Sequence, residues 1–570
     1  MFSRVAGYDK LEDNVSKKGK NAKMLCLALA GIIAYSLFHF IDFTSSTGNL
    51  PELSKEPLCP IAAKYPVVDK EKVEFILNDE NFRNNSAALL GKSLQIDTVV
   101  YDTMTMEDYF KFEKFHKFLQ SSFPLVYKNA KVHTINTYGL VFEFKGSNES
   151  LKPIMLAAHQ DTVPIGDPKS WTMDPWSGSY DGEKVYGRGA ADCKNLLVGL
   201  MESMEELLND GKTSLERGVL LAFGFDEEKS GFDGARKIGQ YLETYLGYDS
   251  VEFLIDEGIS MFTEQMGDYY GLLLSGEKGY LDLTVEVTTP GGHSSVPNDH
   301  TSIGMLSFFL THYEFDQFSA VLPDENPMLS MFECAAEHGH IPANLAYAAK
   351  HARSDEKYRK ALTEFLSNGP NPMLKYTVKT SQAIDIVDGG DKANSLPRSV
   401  LATINHRIAY GDSFDTVVAK AKKHALSTAE TFGIGLTIFD EVIIPEGDSG
   451  NMIISNIGEY LRTANPSPVS GDVWNSIAGS MRSFYEDVVY PEKFTGESDK
   501  KYIIAPAIMS ANTDTRHYWN LTSNIYKGSP GYVDLFQAGA HGIDENIEIE
   551  SHLQIVAFYY DFISKYCGAK

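Results

Sequence analysis

The sequence predicts an α/β protein with a mostly parallel sheet, interrupted by an inserted α+β domain and preceded by an N-terminal transmembrane anchor. Three observations carry this reading. PIMLAAH, GVLLAFGF and VEFLI are short continuous apolar runs, the texture of strands buried on both faces. Amphipathic segments such as KNLLVGLMESMEELLND lie between such runs, as helices covering a parallel sheet do. Near residue 280 the texture changes to YLDLTVEVTT, which alternates as a half-exposed strand does.

In chain order, residues 1–23 read as a cytosolic tail and 24–43 as a membrane-spanning signal anchor, with about 20 mostly apolar positions matching a bilayer core. Arg4, Lys10, Lys17, Lys18, Lys20 and Lys23 outnumber Asp9, Glu12 and Asp13 before it, so the N-terminus stays cytosolic and the remainder is translocated. The long polar lead and the lack of a small-x-small site favour an anchor over a cleaved signal peptide. Residues 44–65, polar and proline-bearing, read as a lumenal stalk. Residues 66–280 form the first part of the α/β domain, 281–435 the inserted domain, and 436–570 the second part. The insertion contains a long, irregular and helix-rich stretch, including residues around 315–385, then the strand SVLATINHRIAY and the helix DTVVAKAKKHALSTAETFG. The second part returns to a buried strand, YIIAPAIM, and a closing helix, SHLQIVAFYYDFISKY.

A length of 570 residues implies more than one domain, and 43% hydrophobic residues supply ample core. The net charge of −26 leaves no basic face for nucleic acid. Asn84, Asn148 and Asn520 head glycosylation sequons on the lumenal side. Cys59, Cys193, Cys334 and Cys567 are too few and scattered for a disulfide framework; one bridge is allowed, and spacing does not assign it. No CxxC pattern occurs, so a metal would have to be held by oxygen and imidazole.

Such a metal is what the strand ends suggest. His159 closes one apolar run, Asp226-Glu227-Glu228 another and Asp256-Glu257-Gly258 a third, while Asp192 precedes the long helix. In open α/β sheets, residues just past the carboxyl ends of strands converge in the ligand crevice. One catalytic zinc takes three protein ligands. The carboxylates here exceed that number and suit two ions bridged by a shared carboxylate. Zn²⁺ fits imidazole with carboxylate, and Mn²⁺ or Co²⁺ would serve as well. Asp161 is spaced to orient His159. Of Glu227 and Glu228, one can bind metal and the other accept the proton of an attacking water. Among late histidines, His517, His541 and His552 compete as ligands on sequence alone. Cys193 reads as a small buried filler. GDSG at 447–450 lacks the further glycine and context of a serine-protease nucleophile and is set aside.

HxDTVP, GRGAADCKN, DEE, DEG, GGHSS, NSLP, NTDTR and a late AHG occur in the order used by the M20 zinc peptidases, which the chain resembles over nearly everything beyond the stalk. FDEE, GGHSSVP and INHRI make it most similar to that family's fungal vacuolar Gly-X carboxypeptidase branch. The resemblance implies two Zn²⁺ per subunit: His159, Asp192 and Asp256 would hold one, and Asp192, Glu228 and His541 the other. It also implies a cis peptide bond after Asp192. Glu227 would be the general base, Asp161 the orienter of His159, and His293 the stabiliser of the oxyanion. Asn394, Arg407 and Arg516 would grip the substrate and its free carboxylate, for which an arginine fork is suited. The insertion would act as a lid and dimerisation domain, with a homodimer as one arrangement.

The expected protein is a single-pass type II enzyme of the vacuolar membrane, releasing C-terminal amino acids from short peptides in the lumen. Two other readings stand beside it: an N-acyl (fatty-acyl) amino acid hydrolase with the same catalytic set, and a catalytically silent lumenal receptor.

Overall fold

The computed structural model describes residues 57–570, apart from 266, 370, 496–499 and 533–536. The expected tail, anchor and most of the stalk lie outside the described residues. Among those described, no helix is long and apolar enough to cross a membrane.

The larger sheet has nine strands. Its centre is parallel, in the spatial order Val219–Gly224, Ile154–His159, Leu254–Ser260 and Ile525–Ser529. Antiparallel Gly139–Phe144 and Lys131–Ile135 extend one side. Asp268–Glu277 and Tyr502–Met509 extend the other, with Thr263–Gln265 paired off the path. The sheet is therefore mixed, and the expected parallel character belongs to the strands that carry the site. Alternate residues feed opposite cores. Ile154, Leu156, Val219, Leu221 and Phe223 pack with helices Lys194–Asn209 and Ile549–Tyr566. Met155, Leu220 and Ala222 pack with Ala235, Ile238 and Leu242 of helix Ala235–Leu246.

The inserted domain has a six-stranded sheet, ordered Ala383–Asp388, Ser399–Ile408, Gly279–Thr288, Asn451–Leu461, Gly435–Ile438 and Glu441–Ile444. Helices Ser302–Phe315 and Phe414–Phe432 cover one face. Ser413 caps the second of these, and left-handed Gly433 (φ 63°) ends it.

One boundary differs from expectation. The insertion does not stop at 435: Gly433 ends a helix, not the domain, and the strands that follow join the second sheet. GDSG turns the corner into Asn451–Leu461, with Gly447 bridged to Gly450. The stretch expected to be irregular and helix-rich holds helices Pro327–His338, Ala343–His351, Glu356–Asn368 and Pro372–Thr377. Their buried Leu329, Phe332 and Leu362 pack with Leu272, Leu274 and Ile503 of the larger sheet, so this part of the insertion returns to the main body. A disulfide joins Cys59 to Cys334 there, with Cα atoms 4.9 Å apart.

Only Lys278 separates strand Asp268–Glu277 of the larger sheet from Gly279–Thr288 of the smaller. The returning chain docks beside it, where Ala464 N donates to the Glu277 carbonyl at 3.1 Å and Ser467 N to that of Ser275 at 2.7 Å.

Candidate metal centre

The central strands end at one crevice. His159 is the last residue of Ile154–His159, Glu257 lies within Leu254–Ser260, and Glu227 and Glu228 start a short turn after Val219–Gly224. Asp192 arrives from the loop before helix Lys194–Asn209, and the peptide bond from Asp192 to Cys193 is cis. His541 comes from a late loop with a left-handed backbone, φ 61°. For a residue with a Cβ this conformation costs about 1 kcal/mol and persists only where the surroundings impose it.

Asp192 is the centre of the arrangement. Its Oδ1 lies 3.1 Å from His159 Nε2 and its Oδ2 3.1 Å from His541 Nε2. The same His541 nitrogen is 3.1 Å from Glu228 Oε1, and His159 Nε2 is 3.5 Å from Glu257 Oε2. Two ligand groups thus share one carboxylate: His159, Asp192 and Glu257 on one side, and Asp192, Glu228 and His541 on the other, with donor atoms in each within 4.8 Å of one another.

This corrects one expected ligand. Asp256 joins neither group: its Oδ1 accepts from Glu257 N at 2.9 Å, and its buried Oδ2 has no hydrogen-bond partner. Successive strand residues project to opposite sides. Glu257 meets His159, whereas Asp256 pairs in register with Lys527 of the neighbouring strand. Cys193 Sγ lies near the first group and accepts from His159 N at 3.3 Å. Burial pushes its thiol pKa well up, so it stays protonated and acts as the expected filler.

Asp161, fully buried, does more than orient the imidazole. Its backbone carbonyl is 3.0 Å and its Oδ1 3.4 Å from His159 Nδ1. The carboxylate also accepts from Glu227 N at 3.1 Å and Glu228 N at 3.0 Å, fixing the turn that carries both glutamates. Glu227 stands beside His159 and Glu228. Burial and then the charge of Glu257 hold its carboxyl well above the usual range. Burial and Asp192 push Glu228 up to about 7. Burial, against the opposing pull of His159 and with Asp192 adding, takes Glu257 to about 7. Hydrogen bonds to Asp192 and Glu228 raise His541 to about 10. Crowded carboxylates that resist ionising, arrayed around two imidazoles, form a donor set that divalent cations fit and would relieve electrostatically.

The substrate-side candidates divide in two. Arg407 and Arg516 stand close to the cluster. Arg407 donates to Asn512 Oδ1 at 2.7 Å and lies over the Tyr280 ring at 4.7 Å. Arg516 donates to the Ser230 carbonyl at 2.7 Å, two residues beyond Glu228. Among the described residues neither guanidinium pairs with a carboxylate. Burial lowers the Arg407 pKa; Tyr280 and Asp282 oppose it and the charge of Arg516 adds to it. His293 and Asn394 lie elsewhere, on an exposed ribbon of the inserted domain where Gly292–His293 pairs with Ser395–Leu396. His293 Nδ1 accepts from Ser295 Oγ at 2.7 Å, and Asn394 O from Ser294 N at 3.4 Å. Among the described contacts, neither side chain touches the metal ligands.

The sequence profile of Peptidase family M20/M25/M40 matches residues 155–565. The chain belongs to this family. Carboxypeptidase S of Saccharomyces cerevisiae is 36% identical over 507 residues, covering 87% of this chain and 86% of that one. The N-fatty-acyl-amino acid synthase/hydrolase PM20D1 of Mus musculus is 28% identical over 456 residues, covering 79% and 82%. Among solved structures, the di-peptidase Dug1p of S. cerevisiae shares the fold, with a TM-score of 0.58 at 14% identity, covering 87% of this chain and 98% of that one.

In this M20 peptidase the site depends on residues that sequence reasoning missed. Glu545 is buried, and its carboxylate accepts from Gly189 N at 2.9 Å, Ala191 N at 2.9 Å, Asp192 N at 3.0 Å and Arg188 Nη1 at 2.6 Å. Buried Arg188 also donates to the Gly542 carbonyl at 2.7 Å. One ion pair therefore fixes both the Asp192 loop and the His541 loop, and imposes the latter's left-handed turn. The signal was present as an arginine inside GRGAAD and a glutamate four residues after His541. Nothing local said that they would meet.

Proposed function

We propose that this M20 peptidase is a metallo-carboxypeptidase that binds two Zn²⁺ and releases the C-terminal amino acid from short peptides of the Gly-X type. The observation that carries the reading is Asp192, whose two oxygens face two imidazoles each backed by its own glutamate. His159, Asp192 and Glu257 would hold one ion, and Asp192, Glu228 and His541 the other. Bound there, the metals would polarise the scissile carbonyl and make a water easier to deprotonate.

The chain's own residues supply the rest. Asp161 keeps the His159 ring turned toward the first group and holds the backbone of Glu227 and Glu228 in place. Glu227, outside both ligand groups and with a raised pKa, takes the proton from the water and returns it to the departing amine. Arg407 and Arg516, without carboxylate partners among the described residues, receive the substrate's free carboxylate. His293 and Asn394 complete the site from the inserted domain when it closes or when a second subunit supplies them, His293 stabilising the oxyanion.

For location, the reading is a vacuolar lumen behind a single-pass anchor. The Cys59–Cys334 disulfide supports an oxidising compartment, and the apolar stretch at 24–43 supports the anchor. The decisive assay is release of leucine from an N-blocked Gly-Leu dipeptide before chelation, after it, and after zinc is restored. Activity lost and regained in step with zinc supports the carboxypeptidase. Turnover of an N-fatty-acyl amino acid alone, the substrate class in the PM20D1 relative's name, would replace it with that hydrolase. Bound zinc with neither turnover would leave a receptor.

A further inference from the structure

The two arginines come from different domains, yet both are tied to the crossing at Glu277 and Lys278. Glu277, the last residue of its strand, is 0% exposed. Its Oε1 accepts from Thr513 Oγ1 at 2.7 Å, and its Oε2 from Thr515 Oγ1 at 3.1 Å. Those threonines flank Asp514 in the short turn that delivers Arg516. The next residue, Lys278, accepts at its carbonyl from Asn512 Nδ2 at 2.7 Å, and Asn512 in turn accepts from Arg407. Buried Lys527 places its Nζ 3.6 Å from Glu277 Oε1. Lys527 also sits in register with Asp256, the neighbour of the ligand Glu257.

We infer that Glu277, set beside Lys527, is a positioning residue for specificity: it holds the turn that aims Arg516, while the adjoining Lys278 carbonyl aims Arg407 through Asn512. Two successive residues of the crossing thus tie down the two guanidiniums that would grip one free α-carboxylate. The inference rests on the reading that these arginines receive the substrate's carboxylate. It adds which buried group fixes their positions, and it gives a function to a charged pair that the chemistry itself does not use.

The test compares N-blocked Gly-Leu with its C-terminal carboxamide, using the zinc-loaded full chain. Glu277→Gln should raise KM for the acid about tenfold or more, the scale of one lost charge-assisted hydrogen bond. It should leave kcat for the acid within about threefold, kcat/KM for the amide unchanged and zinc content unaltered. If Glu277→Gln fails to fold, the Thr513→Val/Thr515→Val pair removes the same hydrogen bonds without stranding a charge, and must show the same selective rise. Equal losses on acid and amide, or no change on either, would overturn the inference. Arg407→Gln and Arg516→Gln separate it from its premise. If they fail to discriminate acid from amide, the carboxylate reading falls. If they discriminate and the Glu277 and threonine variants do not, only the inference falls.

Discussion

The metal centre and the ribbon carrying His293 are built on opposite principles. The candidate ligands are delivered by strands of the larger sheet or by loops of the main body, and His159 is 1% exposed. His293 sits exposed on a short strand of the inserted domain and Asn394 in the turn just before its partner strand, each bonded within that ribbon. The first region is preorganised by the fold, so its geometry is paid for in folding. On the proposed reading, the second would join the site through closure or through another subunit. An anchored half that binds, with a separate half that completes, is the division expected where a lid commits the substrate.

The sharpest way to break this comparison is to remove chemistry without removing structure. Glu227→Gln should cut kcat by about 10²–10⁴-fold while both metals remain, as atomic absorption would report. Loss of metal along with activity would make Glu227 a ligand and dissolve the division of labour between the paired glutamates. His293→Ala should cut kcat by about 10²–10³-fold, again with full metal content; a variant that loses metal would put His293 inside the preorganised half.

Glu545→Gln tests the anchoring of that half. With one acceptor oxygen replaced by a donor facing backbone N–H groups, metal affinity by chelator competition should fall about 10–100-fold. The metal-free protein should stay folded by circular dichroism; unchanged affinity would leave the Arg188–Glu545 pair a purely structural feature.

The smallest effect is on stability of the metal-free protein. Folding raises the carboxyls of Glu228 and Glu257 from 4.5 to about 7, so the folded state binds more protons. Their contribution is complete below pH 4.5 and lost as pH rises toward 7. His541, raised from 6.5 to about 10, keeps its contribution throughout that window. Thermal unfolding without metal should therefore show Tm falling between pH 4.5 and 7, with zinc making the slope shallower. A slope that zinc leaves intact would assign it to other groups.

Much of the metal-binding half was legible. Continuous apolar runs mark central strands, and polar residues at their ends mark the crevice, so His159, Asp161, Asp192, Glu227, Glu228 and His541 could be placed without coordinates. Adjacent Asp256 and Glu257 could not be told apart, because the choice depends on the phase of the pleat as the strand enters the site. The end of the insertion was missed at Gly433, where a helix stop looks the same whether or not a strand of the same sheet follows. The helix-rich character of Pro327 to Thr377 was legible, but the docking of these helices on the larger sheet is a long-range fact. Glu545 and Glu277 act on residues far away in sequence, and no local pattern records such a meeting.

The central claim is that Asp192 joins two metal sites, one completed by Glu257. Crystals of the zinc-loaded protein, measured at the zinc absorption edge, test it most directly. The account predicts two anomalous peaks about 3.5–4 Å apart, one against each Asp192 oxygen, with Glu257 on the His159 side and Asp256 free of metal. A single peak, or one coordinated by Asp256, would contradict it.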